Sequence, residues 1–301
     1  MRTTRSTARG PVPLAPLEGL LEARRGRTLP LPPELARLYG RLRMPLPRVR
    51  PYVFSNFVTT LDGVVSLNAR GHASGGDISG FSAQDRMVMG LFRAIADVVV
   101  IGSGTLAVDR RHVWTAGAIF PGLTEEYRQL GEALGRRELP LNVVVSGSGR
   151  IDLRLPVFTA ATVRAVVVTT AAGAKRLRAQ QASESVEIRI VRGGAGAIPA
   201  RAILDEIRGV APAKRILVEG GPRLLGDFYA ERLVDEQFLT LAPQIAGRDA
   251  GDRRLSLVMG KVFAPGDPLW GTMIDARRGS SHLFLRYSFP EPNPGPRIGR
   301  K

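Results

Sequence analysis

Hydrophobic positions follow two rhythms along the chain. Short, nearly continuous apolar and β-branched runs occur at 52–58, 97–101, 142–145, 165–169, 186–191, 215–218 and 237–242. Between many of them, at 82–95, 123–134, 173–180, 199–208 and 222–231, apolar residues recur every three or four positions. The first pattern suits strands covered on both faces, the second helices with one buried stripe. Their alternation predicts an α/β fold with a largely parallel central sheet flanked by helices. From 257 to 289 strand-like pieces follow without helices and end in HLFLRYSF, which predicts one or two antiparallel edge strands.

The ends read differently. Residues 33–42 place Leu35, Leu38 and Leu42 at helical spacing behind Pro33, a residue suited to a first helical turn. They predict a short helix packed on the main domain, stopped by the proline-rich segment after it. Residues 1–30 and 290–301, rich in Pro, Gly and Arg, read as loosely ordered. No internal repeat is visible. The expected division is an extension at 1–48, one domain at 49–289 and a tail at 290–301.

Composition narrows the chemistry. The 301 residues include no cysteine, which excludes disulfides, thiolate nucleophiles and Cys-ligated zinc. His72, His112 and His282 are too widely spaced for a metal motif, so no metal is expected. No apolar run approaches the roughly 18–20 residues that span a bilayer. The N-terminus has no apolar core of a secretory signal, and Pro11, Pro13 and Pro16 argue against an amphipathic transit peptide. A cytoplasmic protein is the expectation. The net charge of +16 first suggests nucleic acid, but residues 1–50 alone hold 11 Lys/Arg against 3 Asp/Glu. No basic stretch is interleaved with aromatics, and a phosphorylated small molecule accounts equally well for the moderate excess elsewhere.

Three segments carry candidate chemistry. In RILVEGGPRLLGDF a strand runs into Glu219-Gly220-Gly221 and a helix opens at Pro222. Glycines there admit a ligand close to the backbone, and a helix N-terminus offers unpaired N–H groups to a pyrophosphate. Taken alone, a ligand-free strand-to-helix turn is the better reading. In ADVVVIGSGTLAVD a strand ends in Gly102-Ser103-Gly104-Thr105, but Ala107 stands where a dinucleotide fingerprint has its third glycine. A phosphate loop and a structural turn are evenly matched. In FSNFVTTLDGVVS, Asp62-Gly63 is a turn signal after a strand bearing Asn56, and a hairpin is the plainer reading.

In this order, together with Leu91-Phe92-Arg93 before the second of these segments and L-V-D-E and A-P-x-x-x-G after the first, the segments resemble the reductase domain of the bacterial riboflavin-biosynthesis deaminase/reductase. The resemblance spans about 50–289 and implies a dihydrofolate-reductase-like fold. It implies an NADPH-dependent oxidoreductase that turns the ribosyl group of 5-amino-6-(5-phosphoribosylamino)uracil, or a close relative, into a ribityl group. Gly220, Gly221, Pro222, Arg223, Leu224 and Leu225, on to Asp227, would line the NADPH pyrophosphate. Gly102, Gly104, Thr105 and Thr59 would face the cofactor. Ser146, Ser148 and Arg150 would lie at its adenosine end, the last two as candidates for the 2′-phosphate. Asn56, Arg93, Asp109 and Glu219 fall at substrate positions. Asp62, Asp109 and Glu219 are the proton-transfer candidates, and the sequence does not rank them. A homodimer is also implied.

The chain departs from the family in two places, both on the substrate side. Asp109-Arg110-Arg111-His112 replaces an Asp-x-Pro stretch, and Asn56 stands where lysine is common. Without cysteine, the zinc deaminase chemistry of bifunctional members is absent. Two further readings stand beside the first: a pterin, folate or other heterocycle reductase of the same fold, and a non-catalytic nucleotide- or nucleic-acid-binding protein using the basic arm.

Overall fold

The computed structural model describes residues 14–45, 50–180, 186–191 and 198–289. Its strands are β1 (Glu18–Leu21), β2 (Arg27–Thr28), β3 (Arg43–Met44), β4 (Tyr52–Thr59), β5 (Val64–Ser66), β6 (Val98–Gly102) and β7 (Leu141–Ser146), followed by β8 (Ala165–Thr169), β9 (Glu187–Ile190), β10 (Arg215–Val218), β11 (Glu236–Leu241), β12 (Leu255–Ser256), β13 (Thr272–Gly279) and β14 (His282–Ser288). Its helices are α1 (Pro33–Tyr39), α2 (Gly75–Ser79), α3 (Ala83–Ile95), α4 (Ser103–Val108), α5 (Ala116–Ile119) and α6 (Thr124–Ala133), then α7 (Pro156–Thr159), α8 (Ala171–Arg178), α9 (Ala200–Val210) and α10 (Pro222–Ala230). No helix among the described residues is long and apolar enough to cross a membrane.

Ten strands form one sheet in the order β1-β13-β14-β11-β4-β10-β6-β7-β8-β9. From β11 to β9 every neighbouring pair is parallel. The pairs β11·β14, β13·β14 and β1·β13 are antiparallel. The expected parallel sheet with antiparallel C-terminal strands is therefore present. Its strands are apolar at successive positions because both faces are covered. Val99 and Ile101 of β6 enter the core beneath α3 and α6, while Val98 and Val100 enter the core beneath α9 and α10.

The N-terminal segment corrects the expectation of loose order from Leu14 onward. β1 is hydrogen-bonded to β13 as the last strand of the sheet, and Leu35 and Leu38 of the expected helix α1 are buried in the main core. Arg277 on β13 is buried beneath this segment. It donates to the carbonyls of Tyr39 and Arg41 at 2.7 and 2.9 Å, lies over the Tyr39 ring and pairs with Asp275 at 3.0 Å. Residues 1–13 and the expected tail at 290–301 lie outside the described residues.

Candidate active site

The carboxyl ends of β4, β10, β6 and β7 open into one cleft of about 920 Å³. Ligands of open parallel sheets gather at this edge, where successive strand-to-helix turns diverge. Glu219, Gly221, Pro222, Arg223 and Leu224 line it from β10 and α10, and Gly102, Gly104, Thr105 and Asp109 from β6 and α4. Asn56 lines it from β4 and Arg93 from α3.

The glycines at these turns have separate causes. A Cβ on Gly220 would stand 2.6 Å from the Ile101 Cα, so the turn closes against β6 only if residue 220 lacks a side chain. Gly221 has φ +69°, a left-handed conformation that favours glycine. It caps α10, where the N–H groups of Arg223 and Leu224 have no intrahelical acceptor. Gly104 differs from both, because a Cβ there would meet nothing within 4 Å and its φ is not positive. Protein packing gives no reason for glycine at that point of the cleft wall, whereas a ligand backed onto the turn would.

A buried charge network lies where the cleft meets α3. Arg93 and Glu219 side chains are each 2 % exposed and joined from Nε to Oε2 at 2.8 Å. Arg93 also donates from Nη1 to His112 Nε2 at 2.6 Å and to the Thr115 carbonyl at 3.3 Å. A guanidinium can only donate, so His112 is a neutral imidazole with its hydrogen on Nδ1. Burial, reinforced by the Arg93 charge, depresses His112 from 6.5 to about 3. Burial pushes the Glu219 carboxyl up, against the pull of Arg93 and Asn56. Glu219 Oε1 is buried with no hydrogen-bond partner, although Asn56 lies near enough to favour the ionised form. Asp109 is also raised by burial, against the pull of Arg93 and with a push from Asp77.

Other expected site residues are placed apart from the cleft. Asp62 is not on its wall: its carboxylate accepts from Thr60 Oγ1 at 2.6 Å and from the N–H groups of Ala246 and Gly247 at 3.1 and 2.8 Å. These bonds lower it from 3.8 to about 2, so it is an ionised turn pin rather than a proton reservoir. Thr59 is buried and bonded to local carbonyls. Ser146 is buried, its Oγ accepting from the Gly149 N–H. Gly220 and Leu225 lie behind the wall. In the loop after β7, Gly147 reaches the cleft, whereas Ser148 and Arg150 are exposed and do not line it. The Ser148 carbonyl is bonded by Arg176, a second cation at this loop that the sequence had not singled out.

The cleft also holds residues that motif reading missed. Asp85 and Met89 line it from α3, two turns and one turn before Arg93, and His112 and Trp114 from the segment after α4. The i, i+4, i+8 spacing from Arg93 back to Asp85 was a usable signal. For His112, nineteen residues from Arg93, no local pattern existed.

Solved structures share this fold. A pyrimidine reductase-like protein of Corynebacterium diphtheriae superposes with a TM-score of 0.62 at 20% identity, covering 79% of this chain and 91% of that one. A diaminohydroxyphosphoribosylaminopyrimidine deaminase/5-amino-6-(5-phosphoribosylamino)uracil reductase of Thermotoga maritima superposes at 0.58 and 19% identity, covering 79% of this chain. The chain spans 56% of the length of the Thermotoga protein. The architecture is thus that of the dihydrofolate-reductase-like α/β reductase domains. The chain itself belongs to the RibD C-terminal domain family, which it matches over residues 51–258. It is also similar to the 2,5-diamino-6-ribosylamino-4(3H)-pyrimidinone 5′-phosphate reductase of Archaeoglobus fulgidus, with 28% identity over 205 residues, 67% of this chain and 85% of that relative.

Proposed function

We propose that the protein is an NADPH-dependent reductase of a phosphoribosylamino-pyrimidine in riboflavin biosynthesis. The carrying observation is the junction of two features in one cleft: the glycine-lined turns at Gly102–Thr105 and Gly221–Pro222, and the buried Glu219 with an unpartnered Oε1. The relatives act, by their names, on two forms of such a ring, a 2,5-diamino-pyrimidinone and a 5-amino-uracil.

The residues present fit the cofactor. Gly104 leaves room against the backbone, Gly221 caps a helix start that attracts phosphate, and Gly147 extends the wall toward the loop bearing Ser148 and Arg150, which Arg176 of α8 bonds. Those two arginines are the nearby cations for a 2′-phosphate. NADPH, when bound, supplies the hydride. The chain's part is to hold the open-chain imine carbon of the substrate in reach, exclude water and deliver a proton to the nitrogen. Arg93 fixes Glu219 Oε2, leaving Oε1 for the ribosylamino group. Glu219 and Asp109, both raised by burial, are the cleft carboxyls fitted to hold and pass the proton, whereas Asp62 is not. A homodimeric, cytoplasmic enzyme completes this reading, and sedimentation at two concentrations checks the assembly.

Fluorescence titration with NADPH and NADH tests the cofactor assignment. Tight binding selective for NADPH is expected; binding of neither nucleotide would remove the reductase reading.

A further inference from the structure

Asp85 is a carboxyl for which the account above has no use. It is 3 % exposed, lines the cleft, and forms no ion pair among the described residues. Burying a carboxyl without a paired cation is unfavourable, so its position calls for a cause. Helix capping would be the ordinary one, because Asp85 sits three residues after the N-cap Ser82. Helix α2 shows what that looks like: Ser74 and Asp77 exchange both capping bonds, Asp77 accepting from the Ser74 N–H at 3.1 Å. In α3 only half the box forms. The Ser82 side chain accepts from the Asp85 N–H, but the Ser82 N–H goes to the Ser79 carbonyl and not to the Asp85 carboxyl.

The carboxyl is instead part of the cleft wall. Burial pushes its pKa up; the hydroxyls of Ser79 and Thr240 and the neighbouring His282 and Arg86 pull the other way. Asp85 and Glu219 both line this one cleft, and the Asp85 charge adds to the upward push on Glu219. Met89 and Arg93 continue the same face of α3 toward Glu219. A ring held at Asp85 would thus lie beside the point where the ribosylamino group meets Glu219.

We propose that Asp85 is the specificity-determining residue for the pyrimidine ring, binding its N3–H and 2-amino group and so selecting the 2-amino-4-oxo form over the 2,4-dioxo form. This rests on the reductase reading and chooses between its two substrate forms. A carboxylate offers two adjacent acceptors, and the 2-amino-pyrimidinone edge offers two adjacent donors, a bidentate match. The dioxo ring presents a single N–H flanked by two carbonyl oxygens, which repel a carboxylate. A site built for a donor discriminates strongly against an analogue lacking it, because its buried acceptor is left unpaired. It follows that the reaction supplying this enzyme leaves the 2-amino group in place, and that hydrolytic deamination comes after reduction.

The test measures kcat/KM with NADPH for both phosphoribosylamino-pyrimidines in the wild type, Asp85→Asn and Asp85→Ala. Wild type should prefer the 2-amino form by about 100-fold. Asp85→Asn, whose amide offers one donor and one acceptor, matches the N–H and carbonyl of the dioxo ring and should erase or invert that preference. Asp85→Ala should lose the preference without gaining on the dioxo form. NADPH titration and thermal unfolding of each variant show that the cofactor site and fold persist. Equal use of both forms by the wild type, or variants that slow both alike, would overturn the role of Asp85. Turnover and binding of neither form by a protein that holds NADPH would overturn the substrate class itself, and this inference with it.

Discussion

His112 is neutral because both its burial and the Arg93 guanidinium oppose a second proton on the ring. The consequence for stability has a definite sign. An unfolded chain protonates this histidine near 6.5, whereas the folded protein resists down to about 3. Folding free energy is therefore lost as pH falls below 6.5, by up to about 1.4 kcal/mol per pH unit from this group. His112→Asn keeps an acceptor for Arg93 and removes the titration. Lowering the pH from 6.5 to about 4.5 should take about 2–3 kcal/mol more unfolding free energy, read by denaturant, from the wild type than from this variant. Parallel losses would mean that the imidazole is protonated in the fold. Asp62 acts in the same direction over a lower window: held low by hydrogen bonds, it lends stability above 3.8 that is lost as pH falls toward about 2. Asp62→Asn should lower the thermal midpoint and leave NADPH affinity unchanged. Of the two remaining proton carriers, the variant that removes the donor, Glu219→Gln or Asp109→Asn, should lower kcat by about 100-fold or more. A side chain's chemistry was readable in the sequence, as for Arg93 and Glu219, but not the depth of its burial. The pairing of Arg93 with Glu219 spans 126 residues, which no local pattern encodes.

The turns after β10 and β6 look alike in sequence, and their glycines carry different constraints. Gly220→Ala would drive a Cβ into the Ile101 backbone and should destabilise by about 3 kcal/mol or more, read as a lower midpoint in denaturant. Gly104→Val meets open space and should unfold within about 0.5 kcal/mol of the wild type. It should nonetheless weaken NADPH binding by about tenfold or more, since the added side chain fills the cradle. Full affinity in that variant would place the cofactor elsewhere. At this scale the long elements were legible, because a buried parallel strand and a one-sided helix print their periods over many residues. The four- to six-residue helices α2, α4, α5 and α7 and the two-residue strands were not, being too short for a period. β1 escaped for another reason: as an exposed edge strand it carries no hydrophobic signature, and its partner lies about 260 residues away.

The whole molecule is a ten-stranded sheet whose outermost strand comes from near the start of the chain. Removing residues 1–45 would uncover the edge of β13 and take from Arg277 the Tyr39 and Arg41 carbonyls that satisfy its guanidinium. Loss of soluble monodisperse protein, or of several kcal/mol of stability, is expected; unchanged unfolding would show that the segment is only draped on the surface. The basic character of residues 1–50 had suggested an arm free for other partners, yet Arg37, Arg41 and Arg43 each bond within the fold. The central claim is that hydride passes from NADPH to the sugar carbon of a phosphoribosylamino-pyrimidine. The most direct measurement supplies NADPH stereospecifically deuterated at C4, once on each face, with 2,5-diamino-6-ribosylamino-4(3H)-pyrimidinone 5′-phosphate, and locates the label by mass spectrometry and NMR. With one of the two labels, a ribitylamino product with a single deuterium at the former C1 of the ribose is predicted. No consumption of NADPH, or deuterium on the pyrimidine ring, would contradict the account.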